Sequence, residues 1–171
     1  AEPNPGHLAL VEMEVRIADF TLITQNVDGL HRRAGSHRIL ELHGNLFRAK
    51  CCNEDQPVES GSDGDEIPPR CPRCGGLLRP DVVWFGEMLP AGALRAAEHA
   101  AATAEVFFSI GTSALVYPAA DLPFAALAAG ATVVEINPQP TPLSPRVTFS
   151  LNGPAGSVLP ALVAQTWGRV A

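Results

Sequence analysis

Four short apolar runs, Phe20–Thr24, Val106–Ile110, Thr132–Ile136 and Val147–Leu151, set the tightest limit on what this chain can fold into. Each is rich in β-branched or aromatic residues, long enough for a buried strand and too short for a helix. Around them lie stretches of helical character at 7–17, 91–104, 118–129 and 157–167. Strands alternating with helices predict an α/β fold built of βαβ units, because parallel neighbours need a crossover that a helix supplies. With 171 residues, 46% of them hydrophobic, the chain can bury such a core as one domain or as one domain with a small insertion.

The residues that follow these runs carry the chemistry. The first run leads into Thr24-Gln25-Asn26-Val27-Asp28-Gly29-Leu30-His31, the second into Gly111-Thr112-Ser113, the third into Asn137, and the fourth into Asn152-Gly153-Pro154-Ala155. In open α/β sheets, ligands bind at the C-terminal ends of the strands. Gln25, Asn26 and Asp28 offer neutral amides and one carboxylate, which suit a ligand bearing an amide and ribose hydroxyls. His43, in Glu41-Leu42-His43-Gly44, titrates near neutrality and is the candidate general base. Taken singly, Asn26 and Asp28 also read as Asx-turns, His43 as a loop cap and Gly111-Thr112-Ser113 as an ordinary turn. Three small or polar strand ends on one edge favour a dinucleotide, since glycine admits close backbone approach and Ser, Thr and Asn bind ribose and phosphate.

A net charge of −6 and a pI near 5.3 argue against nucleic acid or an anionic membrane as the main partner, and fit a cationic protein substrate weakly. No apolar run approaches a membrane span, and Ala1-Glu2-Pro3-Asn4-Pro5 has no charged-then-apolar leader, so a cytoplasmic location is the expected default. Residues 51–76 differ in character, being rich in Cys, Pro, Gly and acids, and a metal is the expected staple. Cys71-Pro72-Arg73-Cys74-Gly75-Gly76 has the spacing of a zinc knuckle. Its counterpart is irregular: Cys51 is followed at that spacing by Glu54, and Cys52 is an immediate neighbour that points elsewhere. The fourth ligand stays open between Cys52, Glu54 and another nearby acid, against reduced cysteines in a flexible loop without zinc. The apolar run Val82–Gly86, ahead of Glu87, reads from its residues as a core-packing strand.

The block Thr24–His31, followed by His43-Gly44, closely resembles the sirtuins, the NAD-dependent protein-lysine deacylases. The resemblance continues in order through Leu46-Phe47-Arg48, Cys71–Gly76, Leu78–Glu87, Gly111-Thr112-Ser113 and Ile136-Asn137, and covers essentially the whole chain. Val83–Glu87 and Val116–Ala120 look most like the class III branch, which includes bacterial enzymes and the animal desuccinylase. It implies a Rossmann-like NAD-binding domain over 1–47 and 77–171 and a small zinc-ribbon-like module inserted over 48–76. Pro3, Asn4 and His7 match a motif that follows the family's first strand, so the glycine-rich phosphate loop is expected upstream of Ala1 and the sheet to be N-terminally truncated.

Residue by residue, the resemblance implies that His43 is the general base, with Asn26 and Asp28 orienting the reacting groups. Gln25, Asn26, Val27 and Asp28 would face nicotinamide; Gly111, Thr112 and Ser113 the adenosine and phosphate; Asn137, Pro138 and Gln139 the adenosine ribose; and Ala155 the adenine. Val83, Phe85 and Gly86 would line the acyl-lysine tunnel and its rim, where an extended peptide adds as a β-strand. Cys51, Cys71 and Cys74 would hold a structural zinc. The implied reaction consumes NAD: the acyl oxygen of a modified lysine attacks the ribose as nicotinamide leaves, His43 activates a ribose hydroxyl, and O-acyl-ADP-ribose and free lysine result. The Tyr and Arg with which class III members read a negatively charged acyl group have no counterpart here, so acetyl, succinyl and malonyl groups all stay open. The alternatives are a non-catalytic zinc-binding remnant acting in interactions, and mono-ADP-ribosyl transfer from the same NAD site.

Overall fold

The computed structural model, which describes residues 1–58 and 67–168, runs α1 (Pro5–Arg16), β1 (Leu22–Thr24), α2 (Leu30–Ala34), β2 (Ile39–Glu41), β3 (Gly44–Cys51), β4 (Pro57–Val58), β5 (Leu78–Val82), α3 (Ala91–Thr103), β6 (Val106–Ile110), α4 (Leu122–Ala128), β7 (Thr132–Asn137), β8 (Phe149–Asn152) and α5 (Ala155–Trp167). Strands β6, β7 and β8 form a parallel sheet with β7 in the middle, Phe107 opposite Val133 and Ile110 opposite Ile136. The pleat sends alternate side chains to opposite faces. Val133 and Phe107 meet Ala97 and Ala101 of α3 and Leu122 and Ala126 of α4. Val134, Ile136, Phe108 and Ile110 meet Ala9 and Met13 of α1 and Leu159 and Val163 of α5. Helices cover both faces, which is why β7 reads as an almost unbroken apolar run.

Helix α1 starts on a cap that its own sequence supplies. Asn4 caps α1 by accepting the N–H of Gly6 at 2.8 Å, and the Nδ1 of His7 returns a bond to the Asn4 N–H at 3.2 Å, with Pro5 at the first helical position. On α3, Ala97 and Ala101 are fully buried one turn apart, and their small side chains let the helix lie close to α4.

Strand β1 pairs in parallel with β2, a strand the sequence reading passed over because its apolar part, Ile39-Leu40, sits between Arg38 and Glu41. The pair has a ladder of its own, and none joins it to β6–β8 among the described residues. Ile23 and Leu40 nevertheless enter the same apolar cluster as Val133, so the two parallel pieces share one core. Glu14, buried on α1, positions the entry to β2: its carboxylate accepts the N–H of His37 at 3.0 Å and of Arg38 at 2.9 Å.

Three expected elements shift. The helix expected over 118–129 opens as a 3₁₀ turn, Ala119–Asp121, before α4. Strand β8 begins at Phe149 rather than Val147, because the Thr148 hydroxyl, not a main-chain carbonyl, takes the Val133 N–H at 3.1 Å. The run Val82–Gly86 is not a core strand: β5 ends at Val82, and Trp84 and Phe85 stand in solvent. Strands β4, β3 and β5 form an antiparallel sheet whose ladder runs from Gly44 opposite Val82 to Cys51 opposite Leu78, wider than 48–76 at both ends. Residues 59–66 of that expected insert lie outside the described residues.

Candidate functional site

Because β1 and β2 are parallel with Thr24 level with Glu41, residues 25–28 and His43 emerge at the same end of the pair. The loop after β1 is pinned by its own chain. Thr24 Oγ1 accepts the Asn26 N–H at 3.1 Å, and Val27 O accepts the Leu46 N–H at 2.9 Å. Asp28 Oδ1 accepts the Leu30 N–H at 3.0 Å just ahead of the short helix α2, the Asx-turn its sequence allowed. Gln25 is half-buried and Asn26 exposed.

His43 is held from the other side. Gly44 has φ +79, and a Cβ there would lie 1.9 Å from Asp81 O, so only glycine lets β5 pass this close. That approach brings the Val83 N–H to His43 O at 3.0 Å. The imidazole is half-buried, its Nδ1 is buried without a hydrogen-bond partner, and burial holds its pKa below the ordinary histidine value. A neutral ring with an unoccupied nitrogen can accept a proton, as a general base must.

Val83 therefore stands beside His43, while Trp84, Phe85 and Gly86 extend outward. Glu87 closes this projecting turn by accepting the Trp84 N–H at 3.0 Å and an Arg79 N–H at 2.7 Å, and the Arg79 guanidinium lies 4.7 Å over the Trp84 ring. Phe85 and Met88 are almost fully exposed, and Leu46 and Phe47 are exposed as well, so apolar side chains face solvent near the candidate base.

Sequence reasoning missed the ionic frame beneath this end. The Glu41 carboxylate, only 7% exposed, accepts from Asn45 at 2.7 Å, Arg48 at 2.7 Å and Arg32 at 3.2 Å, and Arg48 reaches on to Asp81 at 3.0 Å. Burial pushes the Glu41 pKa upward, but Asn45, Arg32 and Arg48 outweigh it and the carboxyl titrates below its usual range. These pairings join β2, α2, β3 and β5 at irregular separations, so no periodicity announces them. His31 was missed too, though it ends the motif block. Its ring lies 4.7 Å from that of His7, its Nδ1 is buried and unpartnered, and burial and then His7 lower its pKa against the pull of Asp28.

A second group gathers at the C-terminal edge of β6–β8. The Asn137 side chain donates to Thr112 O at 2.8 Å, and the Gly153 N–H donates to Asn137 O at 3.0 Å. Gly111 turns the chain with φ +59. Ser113, Pro138 and Gln139 are exposed, and Ala155 opens α5 against Gly6 of α1. Next to this edge, Glu135 is buried in β7 with its carboxylate accepting the hydroxyls of Thr141, Ser144 and Ser150, which ties the loop after Gln139 to the sheet.

In the antiparallel arm, the sulfurs of Cys51, Cys71 and Cys74 lie within 4.8 Å of one another, with Cys51 and Cys74 at 3.4 Å. Three thiols converging from two turns are a soft donor set that fits zinc. Cys52 is exposed and outside the cluster. Burial works against ionising Cys51, yet the N–H groups of Glu54 and Asn53 and the thiol of Cys74 bring its pKa below the usual thiol value. For Cys74, the Gly76 N–H favours the thiolate, but sharing a proton with Cys51 and Cys71 together with burial pushes it up to about 11.

A match to the Sir2 family spans residues 1–118. The chain belongs to the Sir2 family. This sirtuin chain is 50% identical over 176 residues to NAD-dependent protein deacylase 2 of Pyrobaculum aerophilum, covering 99% of its own length and 68% of that protein. It superposes on a Sir2 homologue in complex with NAD with a TM-score of 0.88 at 46% identity, covering 96% of this chain and 65% of the other. On a Sir2–p53 peptide–NAD⁺ complex the TM-score is 0.86 at 34% identity, covering 96% and 70%. Against its curated relatives the sirtuin chain spans 60–70% of their length.

Proposed function

We propose that this sirtuin chain serves NAD-dependent removal of acyl groups from protein lysine, giving nicotinamide, O-acyl-ADP-ribose and free lysine. The observation that carries the reading is His43: a half-buried imidazole whose pKa is lowered by burial, set between the amide loop after β1 and the Val83 backbone. In this reading His43 accepts a proton from a ribose hydroxyl of bound NAD, and Gln25, Asn26, Val27 and Asp28 hold the nicotinamide end. Gly111, Thr112, Ser113, Asn137, Pro138, Gln139 and Ala155 bind the adenosine side, where glycine and small polar groups admit a dinucleotide. Relatives named as NAD-dependent protein deacylases, and a neighbour bound to a peptide and NAD⁺, support the same assignment.

The acyl-lysine peptide lies along Val83, Phe85 and Gly86, an edge where main-chain bonds hold an extended segment with little sequence selectivity. Zinc held by Cys51, Cys71 and Cys74 supplies a structural cross-link in the arm that carries β3 and β5. Four free cysteines suit a reducing compartment, in keeping with a cytoplasmic location.

The test is nicotinamide release from NAD in the presence of acetyl-, succinyl- or malonyl-lysine peptides. Weak release that needs the peptide and matches the deacylated product is expected of this chain, and His43→Ala should abolish it while leaving the far-ultraviolet dichroism unchanged. Near-normal turnover by that variant removes His43 from the reaction. Absence of nicotinamide release by the parent chain would leave a non-catalytic interaction module. ADP-ribose on protein without deacylated peptide would assign mono-ADP-ribosyl transfer instead.

A further inference from the structure

The antiparallel arm contains the same turn twice. In the second turn the Gly75 N–H donates to Cys71 O at 2.9 Å, the Cys71 N–H donates to Gly76 O at 2.7 Å, and Gly75 takes the left-handed conformation with φ +72. In the first, the Asp55 N–H donates to Cys51 O at 2.9 Å, the Cys51 N–H donates to Gln56 O at 3.0 Å, and Asp55 is left-handed with φ +50. A left-handed residue other than glycine is uncommon, so the first turn keeps the knuckle shape even where its sequence departs from the usual one.

Residue for residue, Cys51 corresponds to Cys71, Cys52 to Pro72, Asn53 to Arg73, Glu54 to Cys74 and Asp55 to Gly75. The crossing contacts obey the same correspondence. The third residue of each turn reaches the fourth of the other: Asn53 Nδ2 lies 3.9 Å from Cys74 Sγ, and Arg73 Nε lies 2.8 Å from Glu54 Oε2. Glu54 therefore occupies the backbone place of the second thiol, with its carboxylate turned to Arg73 and outside the three-sulfur cluster, while Cys52, exposed like Pro72, also lies outside that cluster.

From this duplication we infer that the metal in this chain is held by three thiolates and the Glu54 carboxylate. Zinc accepts a carboxylate oxygen among four ligands. What stands in the way is the Glu54–Arg73 ion pair, whose side chains are 34% and 48% exposed. Such a pair is weak and solvent-screened, and a divalent ion outcompetes it. On binding, three thiol protons pass to solvent, Glu54 releases Arg73 and gives an oxygen without losing a proton, and the guanidinium is freed to solvent. The ligand set is independent of the deacylase reading, because it is read from the metal and not from turnover.

Cobalt(II) bound to the full chain tests it by absorption spectroscopy and chelator competition. The charge-transfer band should correspond to three thiolates, and Glu54→Cys should raise it by about a third as a fourth sulfur joins. Glu54→Gln should weaken cobalt affinity by about tenfold or more, Cys52→Ser should change neither band nor affinity, and Arg73→Ala should leave the band unchanged while strengthening binding. A Cys52→Ser variant that loses charge-transfer intensity would make Cys52 the ligand and overturn the proposal. Unchanged affinity in Glu54→Gln, or a loss in Arg73→Ala as large as in Glu54→Gln, would also overturn it, leaving Glu54 an ion-pair partner of Arg73 only.

Discussion

In the proposed reaction His43 must start as a neutral ring, and burial, which lowers its pKa, favours that form. Its identity was legible in the sequence, since a histidine beside a glycine follows the amide block; its protonation state was not, because that depends on β5 arriving from about forty residues downstream. The same burial has a consequence for stability. His31 and His43 both titrate below the ordinary histidine value when folded, so the unfolded chain binds protons that the folded chain refuses. Their neutral forms are fully compatible with the fold above about pH 6.5, and stability falls as pH drops below that value toward the folded pKa values. Urea midpoints taken at about pH 7.5 and about pH 5.5 should show the lower value at the lower pH, and His31→Asn should shrink the difference. Equal midpoints at the two pH values would contradict this account of the buried rings.

At the scale of elements, helices α1, α3 and α5 and strands β6 and β7 were readable from apolar period and length, and β7, covered on both faces, declares itself in a run of Val and Ile. Strand β2 was not, since three residues cannot show a period and what defines it is a carboxylate on a different element. Glu14 accepts two main-chain N–H groups ahead of β2, and nothing local to residues 37–41 reveals that. Removing it deprives two part-buried main-chain donors of their acceptor, at up to about 1–3 kcal/mol. Glu14→Ala should therefore lower unfolding stability by that amount in a denaturant titration, with Glu14→Gln recovering part of the loss. A variant as stable as the parent would mean that water replaces the carboxylate.

At the scale of the molecule, the chain divides its cohesion between two mechanisms. The parallel pieces are held by apolar layers on both faces, whereas among the described residues the antiparallel arm buries only Cys51, Val58, Cys71 and Leu78 as its own cluster. An arm with so small a core depends on its metal, so chelation should speed amide exchange over residues 44–58 and 67–82 while β6–β8 keep their protection. Uniform exchange across both parts after chelation would count against that division. The site lies where the two parts meet, at His43-Gly44, and its two sequence motifs were legible for that reason: each ends a strand. The projecting turn after β5 was misread from its residues, because four apolar side chains in a row look like core until the ladder is seen to stop at Val82. That turn also makes the chain its own optical gauge. Trp84 sits in solvent under the Arg79 guanidinium, and Trp167, the other tryptophan, lies on α5. A peptide laid along Val83–Gly86 would shield the Trp84 indole from water, so its fluorescence should shift to shorter wavelength on titration with an acyl-lysine peptide, and Trp84→Phe should silence the signal.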